Sequence, residues 1–324
     1  MLKSWLMKNL LLGIIGSCAV VCITWYPATA SAVISVQNES SRAVSVADEK
    51  KIQDATVNLY CRTKVGNKEV SSTGSGVLID SRGIILTNAH VAQYFLLNGK
   101  DSKLTANCSV RTGSPAKTSY KAEVLYMPKS WLTENASKST KEFSKSTGEN
   151  DFAILYISDA EKGELPEQFP TLALGILVQL KKDDAATVAG YPAGSLKFND
   201  VRNKLKFLSA STTITTTQSF QSGTVDLISL SPSKVASAGV SGGPVVSSST
   251  VIGLATTMGT SKKKEGASLR AITVPYIDRV VRAETGLSLM SIYSTDLSNR
   301  AATTRAGLSA KMFTAIEKRL RATR

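Results

Sequence analysis

From residue 55 onward the chain is built of short runs in which apolar and polar positions alternate or cluster over four to eight residues. Val57-Asn58-Leu59-Tyr60-Cys61 alternates with period two, the pattern of a strand with one buried face. Gly76-Val77-Leu78-Ile79-Asp80 runs into the turn Asp80-Ser81-Arg82-Gly83, and Ile84-Ile85-Leu86-Thr87 follows at once, which predicts a hairpin. Further strands are predicted at 103–110 and 121–126, and the nearly all-apolar run 152–157 predicts a strand buried on both faces. After a linker at 161–170 that contains Pro166 and Pro170, a second series is predicted at 185–189, 204–216, 224–230, 245–247 and 251–256. Many short strands separated by Gly and Pro turns indicate sandwiches or barrels. Two series divided near residue 160 predict two β-barrels, a first domain over 55–160 and a second over 161–286.

Helical periodicity is expected only late. Pro275 can open a helix that stops at Gly286. In the tail, residues 287–324, Leu308, Met312, Ile316 and Leu320 recur at i+4 while Lys311, Lys318, Arg319 and Arg321 lie elsewhere on the wheel. This predicts a basic amphipathic helix that packs on a barrel or meets a membrane surface or partner. The Lys/Ser/Thr-rich insert at 127–150, with Ser137-Lys138-Ser139-Thr140-Lys141, has no apolar period and reads as a long exposed loop, and residues 31–54 read as a loose polar arm.

The first thirty residues have the form of an export signal. Lys3 and Lys8 precede an uncharged stretch at 9–26, Pro27 breaks it, and Ala28-Thr29-Ala30 offers a small-x-small cleavage site. A periplasmic or secreted location is therefore expected, with an uncleaved N-terminal membrane anchor as the alternative. Removing residues 1–30 leaves Cys61 and Cys108, a disulfide candidate in an oxidising compartment or else two buried thiols. The net charge of +14 favours electrostatic association with anionic envelope surfaces. Neither zinc-finger spacing nor aromatic–basic alternation is present, so no specific nucleic acid is expected as a partner. No metal and no cofactor are expected either.

Three segments carry the candidate chemistry. The chain has one histidine, His90, in Leu86-Thr87-Asn88-Ala89-His90-Val91, just after an apolar strand. Ser241 lies in Gly239-Val240-Ser241-Gly242-Gly243-Pro244. A serine hydroxyl needs a base to become a nucleophile, and the oxyanion it generates needs backbone N–H donors, which glycines around the serine allow the chain to present. Asp151, in Asn150-Asp151-Phe152-Ala153-Ile154-Leu155, leads into a buried strand, where a carboxylate can hold an imidazole in one tautomer. The order of the three excludes the α/β-hydrolase plan, because no histidine follows Ser241. His, Asp, Ser is the order of chymotrypsin-type enzymes.

With Gly74-Ser75-Gly76-Val77-Leu78-Ile79 and Val188-Ala189-Gly190-Tyr191-Pro192 occurring in the same sequence order, residues 55–285 resemble the trypsin-like peptidases of the bacterial HtrA (Deg) group. The resemblance implies an all-β fold of two six-stranded antiparallel barrels, with short C-terminal helices and the active site between the barrels. It implies a serine endopeptidase that cleaves protein or peptide substrates through an acyl-enzyme. His90 would be the general base, Asp151 its orienting acid, Ser241 the nucleophile, and the N–H groups of Gly239 and Ser241 the oxyanion hole. In that barrel order the strands carrying Cys61 and Cys108 are neighbours, which implies a cross-strand disulfide. By position Ala236, Thr257 and Met258 would line the primary specificity pocket, and their lack of charge implies a small or medium apolar P1 residue. Val240 stands where the group usually has Asn and animal trypsins Asp, so activation through a freed N-terminus is not expected. The stretch after Gly286 is shorter than a PDZ domain, so regulation through one is not expected either.

Overall fold

The computed structural model describes residues 45–65, 68–97, 104–135, 138, 147–221, 223–258, 268–294 and 296–322. The leader expected at 1–30, residues 31–44 of the arm, and Ser137, Ser139, Thr140 and Lys141 of the insert lie outside these residues.

The first barrel is formed by β1 (Thr56–Val65), β2 (Lys68–Asp80), β3 (Ile84–Thr87), β4 (Leu104–Thr112), β5 (Lys117–Tyr126) and β6 (Ala153–Ala160). They close in the order β1-β2-β3-β6-β5-β4, and every pairing is antiparallel. The period-two pattern of β1 explains its two faces. Val57, Leu59 and Cys61 enter the barrel core beside Ala106, Cys108 and Val110, so Asn58, Tyr60 and Arg62 lie on the opposite face. Cys61 and Cys108 are direct partners in the β1–β4 register and form a disulfide. Closing a 47-residue separation contributes on the order of 4 kcal/mol in the chain-entropy account.

The second barrel contains β8 (Ala185–Gly190), β9 (Leu208–Gln218), β10 (Leu227–Leu230), β11 (Pro244–Ser247), β12 (Thr250–Met258) and β13 (Leu269–Thr273), and the β11–β12 pairing closes it. A two-residue strand, β7 (Ala173–Leu174), adds to β12 in parallel. The two six-stranded antiparallel barrels are as expected, with β7 as an addition. Two details differ. The strand expected at 204–216 begins at Leu208, behind a short helix at Phe198–Asn203, and β13 had no counterpart in the sequence pattern.

Helices are not confined to the end of the chain. The helix α1 (Val46–Ala55) replaces part of the expected loose arm. Ser45 caps it by accepting from Asp48 N–H at 3.1 Å. Ile52 and Ala55 are buried, and Ser209 and Ser249 of the second barrel donate to Glu49 and Asp48. Likewise α3 (Lys129–Asn135) occupies the start of the insert that was expected to be an exposed loop. Trp131 and Leu132 are two apolar residues in a polar segment, and both are buried in the first barrel's core cluster. Between these helices lies α2 (Ala89–Ala92), and Phe198–Asn203 is α4. The predicted helix at Pro275 is α5 (Val274–Thr285), capped by the Thr273 hydroxyl and ended by Gly286 in a left-handed conformation, φ 73°. The last helix, α6 (Leu297–Ala322), sends Leu308, Met312 and Ile316 into the same cluster as Phe95, Leu96 and Trp131, so it caps the first barrel.

Candidate active site

Asp151 stands at the entrance to β6, in a turn fixed from the second half of the chain. Asn150 before it adopts φ 59°, and the Tyr276 hydroxyl of α5 both donates to Asn150 Oδ1 (2.9 Å) and accepts from Asn150 N–H (3.1 Å). The Asp151 side chain is fully buried, while that of His90 is 23% exposed. His90 lies on α2, whose start at Asn88 follows β3 directly. The carboxylate holds this histidine twice. Oδ2 lies 2.8 Å from Nδ1 and Oδ1 accepts the His90 backbone N–H at 3.0 Å. Asn88 adds a bond from Nδ2 to the Asp151 carbonyl at 2.7 Å. Thr256, from β12 of the second barrel, donates its hydroxyl to Asp151 Oδ2 at 2.7 Å. With Nδ1–H donated to the carboxylate, Nε2 is the ring nitrogen left to accept a proton.

The turn that carries Ser241 is pressed against the segment that carries His90. Gly242 has φ 83°, and a Cβ there would overlap the Ser75 carbonyl oxygen and the Thr87 hydroxyl and sit 3.0 Å from Asn88 N. Only glycine tolerates both the conformation and the contact. Ser75, on β2 of the first barrel, ties the turn down. Its N–H donates to the Ser241 carbonyl at 2.8 Å and its hydroxyl to the Gly239 carbonyl at 2.7 Å, while that hydroxyl accepts from Tyr191 N–H at 2.9 Å.

The backbone of this turn is satisfied in alternation. Val240 N–H donates to Ser237 O, Gly242 N–H to Ala255 O and Gly243 N–H to Val240 O. Among the described residues the N–H groups of Gly239 and Ser241 donate to no other backbone group. Gly239 has φ 99°, and the preceding carbonyl, of Ala238, is held by Ala193 N–H at 2.7 Å. A glycine-rich turn is the kind of backbone that can present such N–H donors to a negative oxygen.

The structure thus brings His90 and Asp151 into contact and packs Gly242, next to Ser241, against Thr87 and Asn88, while Gly239 packs against Tyr191 and Ala193. Ala236 is half-buried against the cluster containing Val235, Val240, Ala255, Leu269 and Ala271. Thr257 and Met258 lie on β12 opposite Arg270 and Leu269, and their side chains fall outside the described residues. Val240 is fully buried in the same cluster. Three contributors escaped the sequence reading, Ser75, Thr256 and Tyr276. The Gly74-Ser75-Gly76 motif was visible, but nothing in it announced partners more than a hundred residues away. Among the described residues no group of three or more His, Cys, Asp or Glu could hold a metal ion.

Two antiparallel six-stranded barrels, an Asp–His pair and a glycine-framed serine define the chymotrypsin-like class of serine peptidases. A family model for the trypsin-like peptidase domain matches residues 74–254, more than half of the chain, and the protein belongs to that family. A comparison with curated proteins found no match.

Proposed function

We propose that this peptidase is an exported endopeptidase using His90, Asp151 and Ser241 as its triad. The observation that carries the reading is the buried Asp151, which fixes the ring of His90 while the Ser241 turn rests on the neighbouring Thr87-Asn88 segment. In the reaction His90 Nε2 takes the proton of the Ser241 hydroxyl as Oγ attacks the scissile carbonyl. The tetrahedral oxyanion is stabilised by the N–H groups of Gly239 and Ser241. His90 then protonates the leaving amine, which leaves an acyl-enzyme on Ser241. Water, deprotonated by the same imidazole, releases the acid product. The Asp151 carboxylate stabilises the imidazolium that forms in each half.

The motif pattern supports a reading as a member of the HtrA (Deg) group. Val240, buried in the second barrel's core, gives no carboxylate for an N-terminal amine to pair with, so the nucleophile turn is built without zymogen cleavage. The apolar surroundings of Ala236 favour a small or medium apolar P1 residue. Export is supported by the leader pattern and by the Cys61–Cys108 disulfide, which persists in oxidising compartments. N-terminal sequencing of the mature protein should read from a position after Ala30 or Ala32.

The test is hydrolysis of an internally quenched peptide library with the P1 position varied. Cleavage after apolar residues by the wild type and none by Ser241→Ala is the expected result. Turnover that persists in Ser241→Ala would refute the assignment of the nucleophile.

A further inference from the structure

Beside the seam of the two barrels the fold buries a cation with no counter-charge among the described residues. Arg111, on β4, is 1% exposed. Its Nε and Nη2 donate to Asn58 Oδ1, Nη1 to the Arg202 carbonyl at 2.9 Å and Nη2 also to the Val201 carbonyl at 3.2 Å. The guanidinium stacks on the Tyr60 ring, 4.4 Å from its centroid. All its acceptors are neutral, and among the described residues no carboxylate pairs with it. Burial lowers its pKa to about 10, which leaves it charged at neutral pH. A buried charge held only by dipoles is costly unless an opposite charge approaches.

An approach for such a charge is open. A pocket of about 270 Å³ is lined by Arg111 together with Tyr60, Arg62 and Arg202. The β1–β4 register puts Tyr60 opposite Ser109 and Arg62 opposite Asn107, so these four side chains line the same recess. Tyr60 is buried, and its ring forms the floor under the Arg111 guanidinium. Three guanidiniums on one recess are a donor set in need of an acceptor. One acid opposes it. Glu161 also lines the pocket, with its carboxyl raised above the usual range chiefly by burial. Arg62 is partly engaged by Glu69 at 3.8 Å, and no carboxylate pairs with the exposed Arg202 among the described residues.

We propose that this pocket binds a phosphate-type oxyanion, with Arg62 and Arg202 as direct donors and Arg111 supplying a buried positive field. A carboxylate would occupy a single guanidinium fork. Donors converging from β1, β4 and α4 suit a tetrahedral anion of charge near −2, as a phosphate or a phosphomonoester carries. The pocket contains none of the three triad residues, so the proposal is independent of the peptidase reading. It also gives a specific chemical form to the attraction that a net charge of +14 exerts on anionic envelope material.

The test is the thermal unfolding midpoint of the purified protein titrated with sodium phosphate, sodium acetate and sodium chloride at equal ionic strength. Phosphate alone should raise the midpoint saturably. Arg202→Gln and Arg62→Gln should each weaken phosphate binding about tenfold, as expected for loss of one charge-assisted hydrogen bond. Neither should lower the midpoint in chloride, since Arg202 is exposed and Arg62 makes only a 3.8 Å surface contact with Glu69. Glu161→Gln should tighten binding. Equal midpoints in the three salts, acetate matching phosphate, or a phosphate effect that survives both Arg202→Gln and Arg62→Gln would overturn the proposal. Vesicles identify the source of the group. Co-sedimentation with phosphatidate but not phosphatidylcholine vesicles, abolished by Arg202→Gln and competed by inorganic phosphate, would make it a lipid headgroup. Phosphate stabilisation without vesicle binding would make it a soluble phosphate.

Discussion

Asp151 and Asp226 are fully buried aspartates, each standing just ahead of a strand, one in each barrel. Their partners separate them. Asp226 accepts from the N–H groups of Phe220 (2.8 Å) and Gln221 (3.3 Å) and from the Thr224 hydroxyl (2.8 Å), and it forms an ion pair with Arg279 at 2.8 Å. Burial pushes its pKa up, but the Arg279, Thr224 and backbone N–H interactions together outweigh this and hold it below the usual carboxylate value. Every one of those donors is permanent, so the arrangement anchors Phe220, Gln221 and Thr224 to Arg279 of α5. Asp151 instead faces the imidazole of His90 and accepts a further bond from the Thr256 hydroxyl. The same residue type, equally buried, is structural where its partner is a fixed cation and, in the proposed mechanism, functional where its partner exchanges a proton.

Substitutions at the two sites should therefore fail in different currencies. The largest effect is expected for Asp151→Asn, which keeps the shape but offers His90 the wrong hydrogen-bond pattern. We expect kcat to fall about 10⁴-fold with the fold retained, read by steady-state kinetics and circular dichroism. Asp226→Asn should do the reverse. Arg279 would lose its counter-charge, and denaturant unfolding should show a loss of about 3 kcal/mol, the low end for a broken buried pair because Arg279 is partly exposed. The kcat of the folded fraction should stay near that of the wild type. The pH dependence sharpens this. A carboxylate whose pKa is depressed in the folded state stabilises the protein above its unfolded value, near 3.9, and that contribution is lost as pH falls towards the folded value. The wild type should lose stability more steeply than Asp226→Asn below about pH 4. The smallest effect is expected for Thr256→Val, which removes one bond to Asp151 Oδ2. About tenfold in kcat should be lost, and Thr256→Ser should restore it. Equal loss in Thr256→Ser and Thr256→Val would mean that the methyl packing, not the hydroxyl, matters.

The two aspartates also mark how far the sequence could be read. Asp151 was legible because it begins a six-residue apolar strand and falls between a lone histidine and a glycine-framed serine. Asp226 carries no such frame, since its partner Arg279 lies 53 positions on and its turn donors are ordinary Thr and backbone groups. Period-two runs exposed most of the barrel strands. They missed β13, where Leu269-Arg270-Ala271-Ile272-Thr273 breaks the alternation with two apolar residues in succession, and β7, where two residues set no period. The helices divide the same way. Pro275 and Gly286 bracket α5 with local chemistry, whereas α3 is held by Trp131 and Leu132, whose burial depends on a barrel built elsewhere in the chain. Ser75 and Arg111 follow that rule most strongly. Their roles exist only where the two barrels meet, at the Gly239 and Ser241 carbonyls for one and at the Val201 and Arg202 carbonyls for the other.

The central claim is that Asp151, His90 and the Ser241 turn form an activated serine beside a formed oxyanion site. Reaction of the purified protein with a fluorophosphonate probe, alongside Ser241→Ala and His90→Ala, tests it most directly. Labelling of the wild type, with none of Ser241→Ala and little of His90→Ala, is the predicted result. A folded wild type that takes up no probe, or equal labelling of Ser241→Ala, would contradict the account.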